Sequence, residues 1–171
     1  QFSSNIIDPK EHIYSAGYSW EDLYSHRGIV HIPYNASTMS IFEQYTANVP
    51  LFFPTYNFMK KLRQDHASQG VMSELSWNHL FRYPSKSAIF KGFDDPNDYN
   101  NNDNMMEWVR LSDFYDDENM PFIQRFESYD HLEKLCCDVN LDEISKNMQQ
   151  HNLERKSMVY SKWKNVLKQI S

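Results

Sequence analysis

A chain of 171 residues, 40% apolar and 15% aromatic, is long enough for one domain with a sizeable core and too apolar to be intrinsically disordered. Its formal net charge of −6, with no dense Lys/Arg block outside the last predicted helix, argues against a broad nucleic-acid-binding face. No apolar run approaches the roughly 18 residues of a membrane span, so no transmembrane segment is expected, and the cytoplasm is the expected compartment.

The chain begins at Gln1 without a signal-peptide pattern and reads as a piece of a longer protein. Its opening, QFSSNIIDPKEHIYSAG, is polar and turn-rich, with Pro9 and Gly17 as breaks. Ser19 followed by Asp22 forms a capping-box start for a short helix, with Gly28 as its stop. Ile29, Val30, His31 and Ile32 then read as a strand closed by Pro33. A second helix is predicted over residues 40–47, started by the S-x-x-E pair Ser40 and Glu43 and ended by Asn48 in a left-handed conformation.

Leu51-Phe52-Phe53, bounded by Pro50 and Pro54, is a continuous apolar run that suits a strand buried on both faces. A helix over residues 56–64 follows. Helix, strand, helix, strand, helix at this spacing predicts a parallel α/β layer. Short helices are expected at residues 76–81 and 105–111, separated by a polar Asn/Asp-rich loop. Residues 122–126 read as a further strand, and Ser128 as the cap of a helix containing Leu132 and Leu135. Asn140 with Glu143 starts a long terminal helix or helix pair. There Ile144, Met148, Met158, Val159, Trp163, Val166, Leu167 and Ile170 recur at helical spacing and are expected to lie against something apolar. The whole chain is read as one domain, 1–171, with residues 140–171 as a helical tail.

The segment PYNASTMSIFEQYTANVPLFFP, residues 33–54, carries the chemistry. A strand, a short loop and a helix with a Ser/Thr-rich start present free backbone N–H groups and the positive end of a helix dipole, which suit phosphate. Ser37, Thr38 and Ser40 add hydroxyl donors, and Glu43 one turn later can accept two hydrogen bonds from a vicinal diol such as ribose. In open parallel sheets such a loop lies in the crevice beyond the carboxyl ends of the strands. The competing reading makes Ser40 and Glu43 a plain capping box.

Residues 36–54 resemble the donor-binding motif in the C-terminal half of GT-B glycosyltransferases. Residues 19–27 match that family's preceding helix and residues 28–32 its strand, and Glu43 stands where its ribose-binding Glu stands. Ala47-Asn48-Val49-Pro50 matches its A-G-x-P, with Asn48 for Gly. Asn35 and Glu43 have the spacing of the E-x7-E pair of the retaining branch, with Asn in place of the first acid, and the loop lacks the glycines of many members. The run from Phe126 through His131 to Leu132, followed by a long amphipathic helix, is similar to the way such domains finish. The likeness is close over about 40 residues and looser over about 130.

The resemblance implies a Rossmann-like parallel sheet flanked by helices, with a long C-terminal helix, forming part of a two-domain enzyme whose N-terminal GT-B domain lies upstream. It implies transfer of a sugar from a nucleotide-diphosphate sugar to a hydroxyl acceptor, with Asn35, Ser37, Thr38, Met39, Ser40 and Glu43 binding the donor. No catalytic residue, metal or cofactor follows from it: the general base of an inverting reaction would come from the N-terminal half, and this chain alone is expected to bind donor without turnover. Arg27, Lys60 and Lys61 are the nearest cations to the motif. The alternative is a non-catalytic α/β interaction module, with Ser40 and Glu43 only a helix cap and the terminal helix docking a partner.

Other candidates have plainer explanations. His31 reads as a packed side chain before a phosphate or acceptor contact, and His12, Tyr14 and Tyr18 as packing before a base-stacking group. The acidic loop at residues 94–103 lacks the spacing of a calcium loop. Asn35-Ala36-Ser37 is a formal glycosylation sequon taken as chance. The acidic run at residues 113–118 reads as a solvated edge, and the adjacent Cys136 and Cys137 as packed helical thiols without disulfide or zinc spacing.

Overall fold

The computed structural model describes residues 17, 19–35, 38–66, 71, 106–107 and 109–170. Helix α1 (Trp20–Tyr24) leads to strand β1 (Ile29–Val30), α2 (Met39–Thr46), β2 (Leu51–Pro54) and α3 (Tyr56–His66). Further on come β3 (Gln124–Phe126), α4 (Tyr129–Asp138) and α5 (Leu141–Ile170). The three strands form one parallel sheet in the order β1-β2-β3, with Ile29 opposite Leu51 and Phe52 opposite Gln124. The expected parallel α/β layer with a long C-terminal helix is therefore present. The predicted helix at 76–81 and the acidic loop at 94–103 lie outside the described residues; of 105–111, Met106, Glu107, Val109 and Arg110 are helical.

Strand β2 is the middle of the sheet, and all of its residues are buried. Alternation sends Leu51 and Phe53 to one face, where they pack with Ile41 and Tyr45 of α2, Phe114, Met120 and Met148. Phe52 faces the other way, onto Phe126 and Leu132 of α4. Helices thus cover both faces, which is why β2 reads as an unbroken apolar run. Each of these side chains contributes about 1.5–3 kcal/mol by leaving water. Pro54 is tolerated because it ends the strand, and its carbonyl accepts from the Tyr115 hydroxyl at 2.8 Å.

The caps explain most boundaries. Ser19 and Asp22 form the expected reciprocal capping box. Ser128 Oγ accepts from the His131 amide at 3.1 Å, and Asn140 Oδ1 from the Glu143 amide at 3.2 Å. At the end of α2, Asn48 has φ 63°, as expected, and its N–H reaches the Tyr45 carbonyl while that of Val49 reaches Gln44. That bonding pair is a Schellman motif, with Val49 buried beneath it.

Three expectations need correction. Gly28 does not stop α1, which ends at Tyr24 with Ser25 as its cap; a Cβ at Gly28 would lie 3.0 Å from Phe52 Cε2 and 3.2 Å from the Pro50 carbonyl, so close packing against β2 accounts for the glycine. Ser40 and Glu43 do not form a capping box: α2 begins one residue earlier, with Thr38 at the N-cap and no side-chain cap bond. Only the first part of α5 meets the body of the protein, through Ile144 and Met148; every residue from 156 to 170 is exposed. Among the described residues no helix is long and apolar enough to cross a membrane.

Candidate functional site

Because the strands are parallel, β1, β2 and β3 all deliver the chain to the same carboxyl edge, and each is followed there by a helix start. The edge therefore gathers the first turns of α2, α3 and α4, whose N–H groups lack acceptors within their own helices. Thr55 Oγ1 accepts from the Phe58 amide at 3.3 Å and Ser128 Oγ from His131, so one first-turn N–H in each of α3 and α4 is capped by a side chain. Helix α2 is different. Its N-cap, Thr38, has extended backbone (φ −107°, ψ 112°) and is 9% exposed, and its buried hydroxyl has no hydrogen-bond partner among the described residues.

The sequence-predicted residues divide around that point. Thr38 is buried at the helix start and Ser40 half-buried one residue inside it, while Met39 points outward at 71% exposure. Asn35 is half-buried in the loop, and Ser37 lies outside the described residues. Glu43 is exposed on the second turn of α2. Burial raises the pKa of the Tyr24 hydroxyl and the Glu43 charge raises it further, so this carboxylate stands within electrostatic reach of the end of α1. Asn35, Thr38 and Ser40 thus lie where the carboxyl edge meets α2, whereas Glu43, one turn further along, stands near the end of α1, which precedes β1.

Sequence reasoning missed Gln44. Ile41, Gln44 and Tyr45, at helical spacing, form the buried face of α2, and a Gln among apolar neighbours is a signal that an inward partner exists. The partner is His31, whose Nε2 bonds Gln44 Oε1. The His31 amide extends the β1–β2 ladder to the Phe52 carbonyl at 2.8 Å, and its ring stacks on Phe53 at 4.9 Å, which stacks on Phe114 at 4.8 Å. Burial pushes the His31 pKa down to about 4, the Gln44 bond opposing this in part. His31 is therefore neutral at pH 7 and brings no positive charge to an anion; it is packed, as the plainer reading has it.

The nearby cations fall at opposite ends of the sheet. Arg27 precedes β1, at the amino edge of the sheet, and faces Asp142 at 3.8 Å. It is at the wrong end to meet a ligand in the carboxyl-edge crevice. Lys60 and Lys61 lie on the second turn of α3, which starts at the carboxyl edge. Arg125 is engaged by Asp117 at 2.7 Å and covers the Tyr115 ring at 5.8 Å. The run at 113–118 is thus not merely a solvated edge: Asp117 holds Arg125, and Asp116 Oδ1 accepts from the Glu118 amide at 2.8 Å.

Cys136 is half-buried beside Phe52 and Leu132, whereas Cys137 is exposed, so only one of the two thiols is packed. His12, Tyr14 and Tyr18 lie outside the described residues. Among the described residues no group of three His, Cys, Asp or Glu side chains is placed to hold a metal ion. Comparison with protein-family models, with curated proteins and with solved structures finds no match to this chain.

Proposed function

We propose that this chain is the donor-binding portion of a GT-B glycosyltransferase, an enzyme that moves a sugar from a nucleotide-diphosphate sugar to a hydroxyl acceptor. The observation that carries the reading is the Thr38 hydroxyl, buried without a partner among the described residues at the start of α2 on the carboxyl edge of a parallel sheet. A buried hydroxyl without a partner is costly, and a ligand oxygen arriving there would relieve that cost.

In this reading the diphosphate lies at the first turn of α2. It takes hydrogen bonds from main-chain N–H groups and from Thr38, with Ser37 and Ser40 beside it. The dipole of α2 favours the charge that grows on the leaving diphosphate, so transition-state stabilisation needs no metal in principle. Glu43, exposed one turn on, accepts from the ribose diol. The acceptor site and any general base belong to the N-terminal half expected upstream. Ser40 and Glu43 do not cap α2, so the non-catalytic alternative would rest on the exposed end of α5 alone.

The test is saturation-transfer NMR with uridine and guanosine diphosphates on the folded chain, with Glu43→Ala and Thr38→Val as controls. Saturation reaching the ribose protons, lost in Glu43→Ala, is the expected result. A folded chain that binds neither nucleotide removes the glycosyltransferase reading. Equal binding by Glu43→Ala removes only the role given to that residue.

A further inference from the structure

The first part of α5 is spoken for: Ile144 and Met148 enter the core, and Ser145 and Asn152 bond the end of α2. Beyond residue 155 the helix leaves the body and runs on for 15 residues, about 22 Å at 1.5 Å per residue. At 100° per residue, Val159, Tyr160, Trp163, Val166, Leu167 and Ile170 fall within one third of the circumference. Trp163 is 61% and Ile170 77% exposed, so this stripe is an organised apolar surface in water and not a scatter of single residues.

The borders of the stripe are basic. Arg155, which also donates to the Asn119 carbonyl at 3.5 Å, and Lys162 lie along one side and Lys164 along the other, with Lys168 further round. Lys156 falls within the stripe, its ammonium 5.9 Å from the Tyr160 ring centroid. Residues 153–170 contain five cations and one acid, Glu154, for a net +4 in a chain whose total is −6; the remainder therefore carries −10. Such a helix cannot cross a bilayer. Its features are an aromatic and aliphatic stripe, nearby cations whose stems can snorkel, and a mainly polar back, which together match a helix lying in the plane of a membrane interface.

Helix-to-helix pairing with a second copy of the chain fits less well, because it brings +4 against +4 along the seam. Charge complementarity selects a negative surface, and exposed Tyr160, Trp163 and Leu167 with cations beside them suit the interface of an anionic lipid layer. We propose that residues 155–170 of α5 form an interfacial helix that seats on anionic lipid, burying Trp163 and Leu167 among the acyl chains while Lys162, Lys164 and Lys168 meet lipid phosphates. This stands independently of the glycosyltransferase reading.

Co-sedimentation of the chain with phosphatidylcholine vesicles, with and without phosphatidylserine, tests it. Binding is expected to the phosphatidylserine vesicles and to weaken as salt rises. The triple variant Lys162→Gln, Lys164→Gln, Lys168→Gln should bind them more weakly by roughly two orders of magnitude, and Trp163→Ala with Leu167→Ala should also lose binding. These positions touch no core residue, so circular dichroism and thermal midpoints should not change. Failure to bind, equal binding to neutral vesicles, or binding unchanged in the triple variant would each overturn the proposal. So would a stable dimer in sedimentation velocity that the Trp163 and Leu167 variants dissolve, or binding to polyglutamate as tight as binding to the vesicles.

Discussion

Asn152 on α5 holds Asn48 at the end of α2: its Nδ2 donates to Asn48 Oδ1 at 2.8 Å and to the Tyr45 carbonyl at 3.0 Å. Ser145, seven residues earlier on the same helix, donates its hydroxyl to the Asn48 carbonyl at 2.8 Å. Asn48 therefore does two jobs. It adopts a φ of 63° that glycine would adopt more easily, and it supplies the side-chain acceptor that glycine lacks. The residue that departs from the A-G-x-P pattern is the one that ties the long terminal helix to the helix carrying the candidate site.

Asn48→Ala should be the costlier substitution at that position. It keeps the left-handed strain, worth about 1–2 kcal/mol for a residue with a Cβ, and loses a hydrogen bond worth about 1 kcal/mol. Asn48→Gly loses the bond but relieves the strain, so its cost should be about 1 kcal/mol or less. Urea unfolding of both, with Asn152→Ala in a double-mutant cycle, should show a coupling of about 1 kcal/mol. Equal losses in the Ala and Gly variants would show that strain plays no part.

The His31–Gln44 pair predicts an acid-sensitive stability. The folded-state pKa of His31 lies near 4, against its usual 6.5, so in acid the unfolded chain takes up a proton that the folded chain refuses. The stabilisation is complete above pH 6.5 and falls as pH drops from there to about 4, below which both states are protonated. The loss over that window is on the order of 2–3 kcal/mol. Unfolding free energies of wild type and of the double variant His31→Phe, Gln44→Leu should be measured at pH 7 and pH 4.5. The difference between the two proteins isolates this group from the carboxylates, and parallel pH profiles would mean that His31 is not held neutral.

Much of the fold was legible because single features of the chain had one structural use. Leu51-Phe52-Phe53 between two prolines suits only a central strand, and Ser19-x-x-Asp22 and Ser128 cap the helices they precede. The errors arose where one residue type serves two ends. Glycine marks helix stops and also close contacts, and Gly28 serves the second use. The S-x-x-E pattern at Ser40 is real in the sequence, but the exit of β1 and the packing of Ile41 and Tyr45 set α2 one residue earlier. Gln44 was missed because its partner, His31, is thirteen residues away on another element. The exposed end of α5 has the same periodicity as its buried start, and periodicity alone does not say whether a stripe is covered.

Gly28→Ala follows from that close contact. Phe52 Cε2 at 3.0 Å belongs to a side chain that is itself buried, and the Pro50 carbonyl at 3.2 Å is backbone. Neither can retreat cheaply, so the substitution should destabilise by about 1–3 kcal/mol, the usual range for overpacking. A helix stop would instead tolerate alanine at small cost unless its φ were positive. Thermal unfolding distinguishes the two, and an unchanged midpoint would contradict the packing reading.

Four hydroxyls at the helix starts on the carboxyl edge should respond differently to removal, and the contrast bears on the candidate site. Thr55→Val and Ser128→Ala each delete a cap bond present in the structure and should cost about 1 kcal/mol. Ser40→Ala should stay within about 0.5 kcal/mol, because Ser40 makes no cap. Thr38→Val removes a buried hydroxyl that has no partner among the described residues and keeps its shape, so stability should hold or rise by up to about 1 kcal/mol. A loss in Thr38→Val as large as that in Ser128→Ala would mean that the Thr38 hydroxyl caps α2 in solution. If the hydroxyl instead meets a ligand oxygen, uridine or guanosine diphosphate should raise the thermal midpoint of the wild type and raise that of Thr38→Val much less, although the variant starts from equal or greater stability. That reversal, stable without ligand yet poorly stabilised by it, separates a binding hydroxyl from a structural one.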